Sequence, residues 1–365
     1  MLAGYRVKAL IKKELIQIVR DPSTLLISVV LPLILLFLYG FGVSLDLKHL
    51  RIGVVLEDTG PDAQSFLRAL MDSPYFDVTT SRDRYELTHA LTVGKLRGMV
   101  VIPSYFSDFK NRKGQSAPIQ VIADGSEPNT AAMLQNYVDG AFQNWIRQKP
   151  LIRPVPRFWY NEQLESRNFL LPGSLALIMT LIGTLLTALV VTREWERGTM
   201  EAMIATPITK DELIIGKILP YFALGFISMA ISASASIFLF NVPFRGSLLA
   251  LFLVTAAFLY CALSLGLMIS TIARSQLIAY QIAMVTSVLP AYILSGFLFE
   301  ISSMPTWIQF LTYIIPAKYF VQSLQTLFLV GDVWKLILIN TVPMLILGTL
   351  FLFISKRKTA KRLDA

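Results

Sequence analysis

TREWERGTMEAMIATPITKDELIIGKILPY, residues 192–221, is the one dense island of charge between two long apolar runs, and its reading decides the fold. Arg193, Glu194, Glu196, Arg197 and Glu201 follow an apolar run that ends near Val191, and the i, i+4 spacings Arg193/Arg197 and Arg197/Glu201 set several of them along one helical flank. Gly198 weakens that helix. Thr199 is placed to cap a new one in which Met200, Met203 and Ile204 recur at helical spacing. Pro207 stops it, and Thr209 with Glu212 three residues on reads as a capping box that launches the next apolar helix. A short helix across a membrane surface, with an apolar stripe and a charged collar, and with Trp195 in the same segment, suits docking into another protein's groove. A solvated loop between two spans is the competing reading of the same residue types.

Working outward, the flanking runs are too apolar for a soluble domain: 54% of the 365 residues are hydrophobic and the mean hydropathy is +0.59. This is the composition of a membrane protein. Runs at about 24–45, 169–192, 213–240, 247–270, 277–299 and 333–355 are each long enough to cross roughly 30 Å of hydrocarbon. The first run also fits a signal peptide, with a basic front and the small residues Gly42 and Ser44 near its end, but it exceeds the ~7–15 residues of such a core. Six spans put both termini on one side. That side collects the N-terminal Lys and Arg, the island, Arg274 and the tail Lys356, Arg357, Lys358, Lys361 and Arg362 (residues 356–365). The other side holds Arg245, Lys318 and Lys335. By the positive-inside rule both ends and the island are cytoplasmic. Most of the net charge of +9 is then an orientation and headgroup signal, and nucleic acid is a poor explanation for it.

Before the first span, Val7, Leu10, Ile11, Leu15, Ile18 and Val19 recur at helical spacing against Arg6, Lys8, Lys12, Lys13 and Arg20, so residues 1–23 carry an amphipathic helix along the membrane surface. Residues 46–168 change character. β-rich segments (51–56, 76–80, 98–102, 119–123) alternate with helical stretches (63–71, 86–96, 129–146), the pattern of a small α/β domain, which the positive-inside rule sets on the extracytoplasmic side. In the last helix Met133, Leu134, Tyr137, Val138, Ala141, Phe142, Trp145 and Ile146 form one apolar stripe. Residues 300–330 are too apolar to lie free in water and too often broken by proline to cross as one helix. They read as two short helices dipping into the outer leaflet, with Met304, Pro305, Pro316 and Tyr319 at their ends; a loop resting on the interface through Trp307 and Tyr313 is the alternative.

No Asp, Glu, Lys, Arg or His lies in the middle of a span; Lys217 and Lys335 sit near ends, where they can snorkel. An ion-coupled carrier has little to run on. Ser228, Ser232 and Ser236 read as a close-packing stripe ahead of a substrate path. Gly94-Lys95 and Gly216-Lys217 lack the spacing and hydroxyl of a phosphate loop. His49 and His89 are far apart and Cys261 is alone, so no metal, acid–base or disulfide framework is indicated. If this chain moves something uphill, a partner must supply the work.

Glu194 to Glu201, then Ala205 to Thr209 and Gly216 to Tyr221, resemble the signature of type-two ABC exporter permeases. The likeness continues in Lys13-Glu14-Leu15, Arg20-Asp21-Pro22, Arg157-Phe158-Trp159-Tyr160-Asn161, Phe169-Leu170-Leu171-Pro172-Gly173, Ser295-Gly296-Phe297 and Ser303-Met304-Pro305. The resemblance implies an α-helical polytopic fold of six transmembrane helices with an inserted α/β domain. It implies a second permease subunit, identical or not, and an ABC ATP-binding subunit that holds ATP and Mg. Residues 199–205 would be the coupling helix and 4–20 the connecting helix. It implies a bacterial inner-membrane exporter, with a periplasmic adaptor in some members, and no cofactor or catalytic residue on this chain. In that scheme Arg193, Glu194, Glu196, Arg197 and Glu201 hold the docking geometry, Met200, Met203 and Ile204 fill the partner's groove, and 300–330 forms the outer gate. A membrane sensor whose outer domain binds a ligand is the rival, and the fold does not choose a substrate.

Overall fold

The computed structural model describes residues 4–42, 50–109, 119–124, 128–146, 160, 165–273 and 275–358. His49, Arg157, Phe158, Trp159, Asn161, Arg274, Lys361 and Arg362 lie outside the described residues, as does the side chain of Ile204. The chain forms two compact units, one of residues 1–44 with 158–365 and one of 45–157.

Helix α1 (Gly4–Arg20) turns Leu10, Glu14 and Ile18 inward, one every fourth residue, while Leu15 and Val19 stay exposed. The inward stripe is therefore narrower than the apolar pattern predicts, and it has a carboxylate at its centre. Asp21 caps α2 (Pro22–Gly42) by accepting from the Ser23 amide at 3.1 Å. α2 widens into a π-turn at Leu26–Val30, directly ahead of Pro32. Proline has no amide hydrogen for the carbonyl four residues back and its ring crowds that carbonyl, so the turn opens. The carbonyl concerned, on Ser28, instead accepts the Ser228 hydroxyl.

The inserted unit is a four-stranded sheet. Strands β1 (Leu50–Leu56), β2 (Phe76–Ser81), β3 (Gly98–Ile102) and β4 (Gln120–Ala123) lie in the order β2-β1-β3-β4, parallel except for β4. Helix α3 (Pro61–Met71) connects β1 to β2, α4 (Arg84–Thr92) connects β2 to β3, and α5 (Pro128–Ile146) follows β4. Strand alternation sends Ile52, Val54, Val100 and Ile102 to one face, where Phe66, Leu70, Leu134, Val138 and Trp145 cover them. Val55, Met99 and Val101 go to the other face, against Leu87 and Leu96. α4 ends at Thr92, short of the predicted Leu96, because Gly94 takes φ +75° and turns the chain back so that the Lys95 amide reaches Ala90 O at 2.9 Å. Ile146, assigned to the apolar stripe of α5, is 55% exposed.

The remaining helices are α6 (Ser166–Glu196), α7 (Thr199–Ile204), α8 (Lys210–Phe238), α9 (Leu248–Ile272), α10 (Gln276–Leu294), α11 (Thr306–Thr312), α12 (Pro316–Leu329) and α13 (Trp334–Lys358). Among the described residues, α2, α6, α8, α9, α10 and α13 are the helices long and apolar enough to cross a membrane. α6 is the axis of the bundle: 89% of its most apolar window is buried, against 22% for each of α2, α10 and α13, whose free flanks are apolar and suit lipid or a second subunit. α9 and α12 pack on α6, with Phe258 and Phe320 stacked face to face at 4.0 Å. α10 stops at Leu294, before the predicted 299, where Ser295 and Gly296 (φ +84°) reverse the chain. Its π-turn, Met284–Val288, again precedes a proline, Pro290. The serine stripe on α8 packs inward: Ser228, Ser232 and Ser236 are all buried.

Candidate coupling site

The charged island is not a loop. Arg193, Glu194, Trp195 and Glu196 are the last turn of α6; Gly198, at φ +69°, turns the chain into α7. Gly198 itself occupies the N-cap position, which corrects the assignment of that role to Thr199: the Thr199 hydroxyl instead donates to the Glu194 carboxylate. Thr209 and Glu212 form the reciprocal capping box at the start of α8.

Beneath α7 lies a buried ion cluster. Gly216 lets α1 approach α8 closely, since a Cβ there would stand 2.7 Å from Leu10 Cβ. That approach brings Lys217, 1% exposed, within 3.1 Å of Glu14 and 3.6 Å of Glu194. Lys13 bridges the same two carboxylates from the rim, at 3.2 Å from Glu14 and in direct contact with Glu194. Two cations and two anions balance, so the cluster can be buried without net charge. Lys217 does not snorkel, contrary to the expectation from its place near a helix end. Its partners come from outside its own span.

Alongside, Arg193 Nη1 donates to Asp21 at 2.7 Å, and the Thr24 hydroxyl donates to the same carboxylate oxygen at 2.7 Å. Burial pushes the Asp21 carboxyl up, but the Thr24 hydroxyl, the Arg193 charge and the Ser23 amide outweigh it and hold the group below the usual carboxylate range. A depressed folded pKa contributes stability that is present above the unfolded value, near ~4, and is lost as pH falls through the folded one. Asp21→Asn should lower stability by about 1–2 kcal/mol at pH 7. The gap to the parent chain should close below about pH 4, a trend readable from apparent Tm in detergent at the two pH values; a gap constant with pH would refute the assignment.

The docking roles inferred from the island divide. Glu194 is 3% exposed and Met200 2% exposed; both face their own chain, Met200 against Val191, Leu213, Ile214 and Leu267. Met200 is therefore not available to fill a partner's groove, because the apolar side of so short a helix is taken by the bundle. Trp195 and Met203 pack half-buried on the same cluster. Glu196 accepts the Gln276 amide at 2.7 Å and ties α6 to α10. Pro207 is exposed, its carbonyl accepting from Arg6. Left outward are Arg197, Thr199, Glu201 and Ala202, and among the described residues Arg197 and Glu201 make no ion pair.

Lys13, Glu14, Asp21 and Lys217 figure in the sequence within the family likeness but without a site role, and Gln276 is passed over. The signal was present as one acid in the inward stripe of α1 and one base seven residues into an apolar helix, a pair that only a shared burial explains.

At the other end of the bundle, Met304 and Pro305 precede α11, Pro316 opens α12, and Tyr319 is 8% exposed. Tyr319 donates to Tyr313 O at 2.9 Å and Lys318 to Thr312 Oγ1 at 2.9 Å, with its amine 3.6 Å from the Tyr313 ring centre. These bonds staple the two short helices at their junction.

The model of the ABC-2 family transporter protein matches residues 22–356. The chain is 47% identical to an Escherichia coli protein named "Probable multidrug ABC transporter permease YbhS", over 100% of this chain and 99% of that one. It is 30% identical to "Probable multidrug ABC transporter permease YbhR" of the same organism, over 89% and 90% of the two chains. It is 25% identical to the E. coli "Inner membrane transport permease YhhJ", over 74% of each. Six spans, an inserted α/β unit and a charged turn anchored by a buried ion cluster thus stand in a chain that belongs to the ABC-2 family and is a permease subunit of an ABC transporter.

Proposed function

We propose that this permease moves substrate outward across a bacterial inner membrane, driven by a separate ATP-binding subunit that carries ATP and Mg and docks on the outward face of α7. Both termini and α7 lie in the cytoplasm, the α/β unit lies outside, and a second permease subunit completes the pathway; an adaptor on the α/β unit fits the same scheme. The supporting observation is how α7 is held. Its inner side is fixed by Met200 and its start by the Thr199–Glu194 bond, and Glu194 is joined through Lys13 and Lys217 to α1 and α8. A push on α7 therefore moves three helices as one body. Arg197, Glu201 and Ala202 supply the contact face, with the bilayer fixing the plane of the rest.

Glu201→Lys combined with Ala202→Arg changes only that exposed face. It should weaken co-purification of the ATP-binding subunit by about tenfold or more, in line with the ~2 kcal/mol carried by a central interface residue, and should leave the apparent Tm of the permease within about 1 °C. Undiminished association and transport would remove the role assigned to α7.

A further inference from the structure

Between α6, α9, α10 and the α11–α12 junction lies a cavity of about 370 Å³, within the ~300–1,000 Å³ common for small-molecule sites. Its walls include Phe258, Ala262 and Leu265 of α9, and its roof is the stapled segment 314–317. No lining residue is ionisable. A charged guest would shed its hydration without meeting a counter-charge, so the cavity selects against ions.

The lining residues with polar side chains are Thr180 and Thr184 on α6 and Thr286 and Ser287 on α10, each with a hydroxyl. All four protons are already committed. Thr180 donates to Ala176 O at 2.7 Å, Thr184 to Thr180 O at 2.6 Å, Thr286 to Ile282 O at 2.7 Å and Ser287 to Ala283 O at 2.6 Å. What remains on each is acceptor capacity. Thr286 and Ser287 also sit in the π-turn of α10, and Pro290 withholds the amide that would ordinarily occupy the Thr286 carbonyl. In α2 the carbonyl freed in the same way takes the Ser228 hydroxyl from within the protein; in α10 the residue concerned lines the cavity. The wall thus offers acceptors and keeps its donors.

We propose that this cavity, within one permease chain, binds an uncharged lipophilic molecule that brings at least one hydrogen-bond donor of its own, such as a phenol, an alcohol or an amide on a hydrocarbon body. The proposal rests on the exporter reading only in taking that molecule to be a transported substrate. α11, with Trp307 and Phe310 exposed, and Ile314 just beyond it give the roof an apolar outer face from which such a molecule can arrive out of the lipid.

The test uses the full-length chain in nanodiscs without nucleotide, with three probes of matched size: 4-hexylphenol, 4-hexylanisole and hexyltrimethylammonium. Binding is read as saturable displacement of radiolabelled hexylphenol. The phenol should bind about three- to tenfold more tightly than the anisole, whose donor is methylated, and the cation should not compete. Leu265→Trp, which fills the cavity, should abolish saturable binding. Thr184→Val with Ser287→Ala, which nearly keeps the volume and removes two of the four hydroxyl acceptors, should narrow the phenol's advantage over the anisole. Equal affinities, or phenol binding that survives both variants, would overturn the site and assign the signal to lipid partition. Saturable binding of this profile without ATP-driven export would uphold the site and remove the exporter reading. Export of other molecules with no binding here would do the reverse.

Discussion

Replacing Lys217 by methionine should lower the stability of the permease by about 3 kcal/mol, the low end of what losing one partner of a buried ion pair costs. The amine lies 1% exposed between two carboxylates whose side chains are 2% and 4% exposed. Without it, Glu14 and Glu194 face each other with only Lys13, itself 43% exposed on its side chain, to balance them. Lys13 is the reason the loss stays at the low end. If the penalty comes from the orphaned charge, removing that charge must restore stability: Glu14→Gln in the Lys217→Met background should recover more than half, leaving Lys13 and Glu194 as one neutral pair. A double-mutant cycle on apparent Tm measures this, and a coupling under about 0.5 kcal/mol would show the two residues to be independent. The same variant should uncouple ATP hydrolysis from transport, because the cluster joins α1, α6 and α8 under α7. A chain that stays as stable as the parent and transports normally would dismiss the cluster as a passive filler.

Why that cluster escaped the sequence while the spans did not is a matter of range. Spans announce themselves by length: each apolar run is longer than a core helix needs, and α6, α8, α9 and α13 lie within a few residues of the runs that mark them. Strands of the inserted unit are legible for a similar reason, since Val, Ile and alternation are local signals. The capping box at Thr209 and Glu212 is also local, four residues with one geometry. Glu14 and Lys217, by contrast, are 203 positions apart, and each alone reads as an ordinary charge near a membrane surface. Met200 misled in the opposite direction. Its spacing with Met203 marks an apolar stripe correctly, but a stripe does not say whether the bundle or a partner covers it, and here the bundle does. The π-turns depend on what takes up a carbonyl that proline leaves open, which in α2 is the Ser228 hydroxyl, so the prolines are visible and the widening is not.

Gly266→Val should be as damaging as any single change in the bundle, at about 3 kcal/mol or more, and Gly266→Ala should already lie well above the usual cost of such an exchange. A Cβ at 266 would stand 2.0 Å from Thr187 Oγ1, 2.4 Å from the backbone oxygen of Thr184 and 3.1 Å from the Ala188 amide nitrogen. The hydroxyl could rotate away, but the Thr184 carbonyl belongs to the most buried helix of the bundle and has nowhere to go. α9 must therefore withdraw from α6. One turn further along, the Ser270 hydroxyl accepts the amides of Val191 at 2.9 Å and Thr192 at 3.2 Å, just before the last turn of α6, so the withdrawal reaches the α7 end as well. Gly140→Ala provides the contrast: that glycine is helical with nothing within 4 Å, and alanine there should be neutral or stabilising by up to about 1 kcal/mol. Thr187→Ala removes the closest clash and leaves the carbonyl one, so it should restore Gly266→Ala only in part. Full restoration would place the fault in a side chain rather than in the approach of two backbones, and would refute the account of how α6 and α9 are held together.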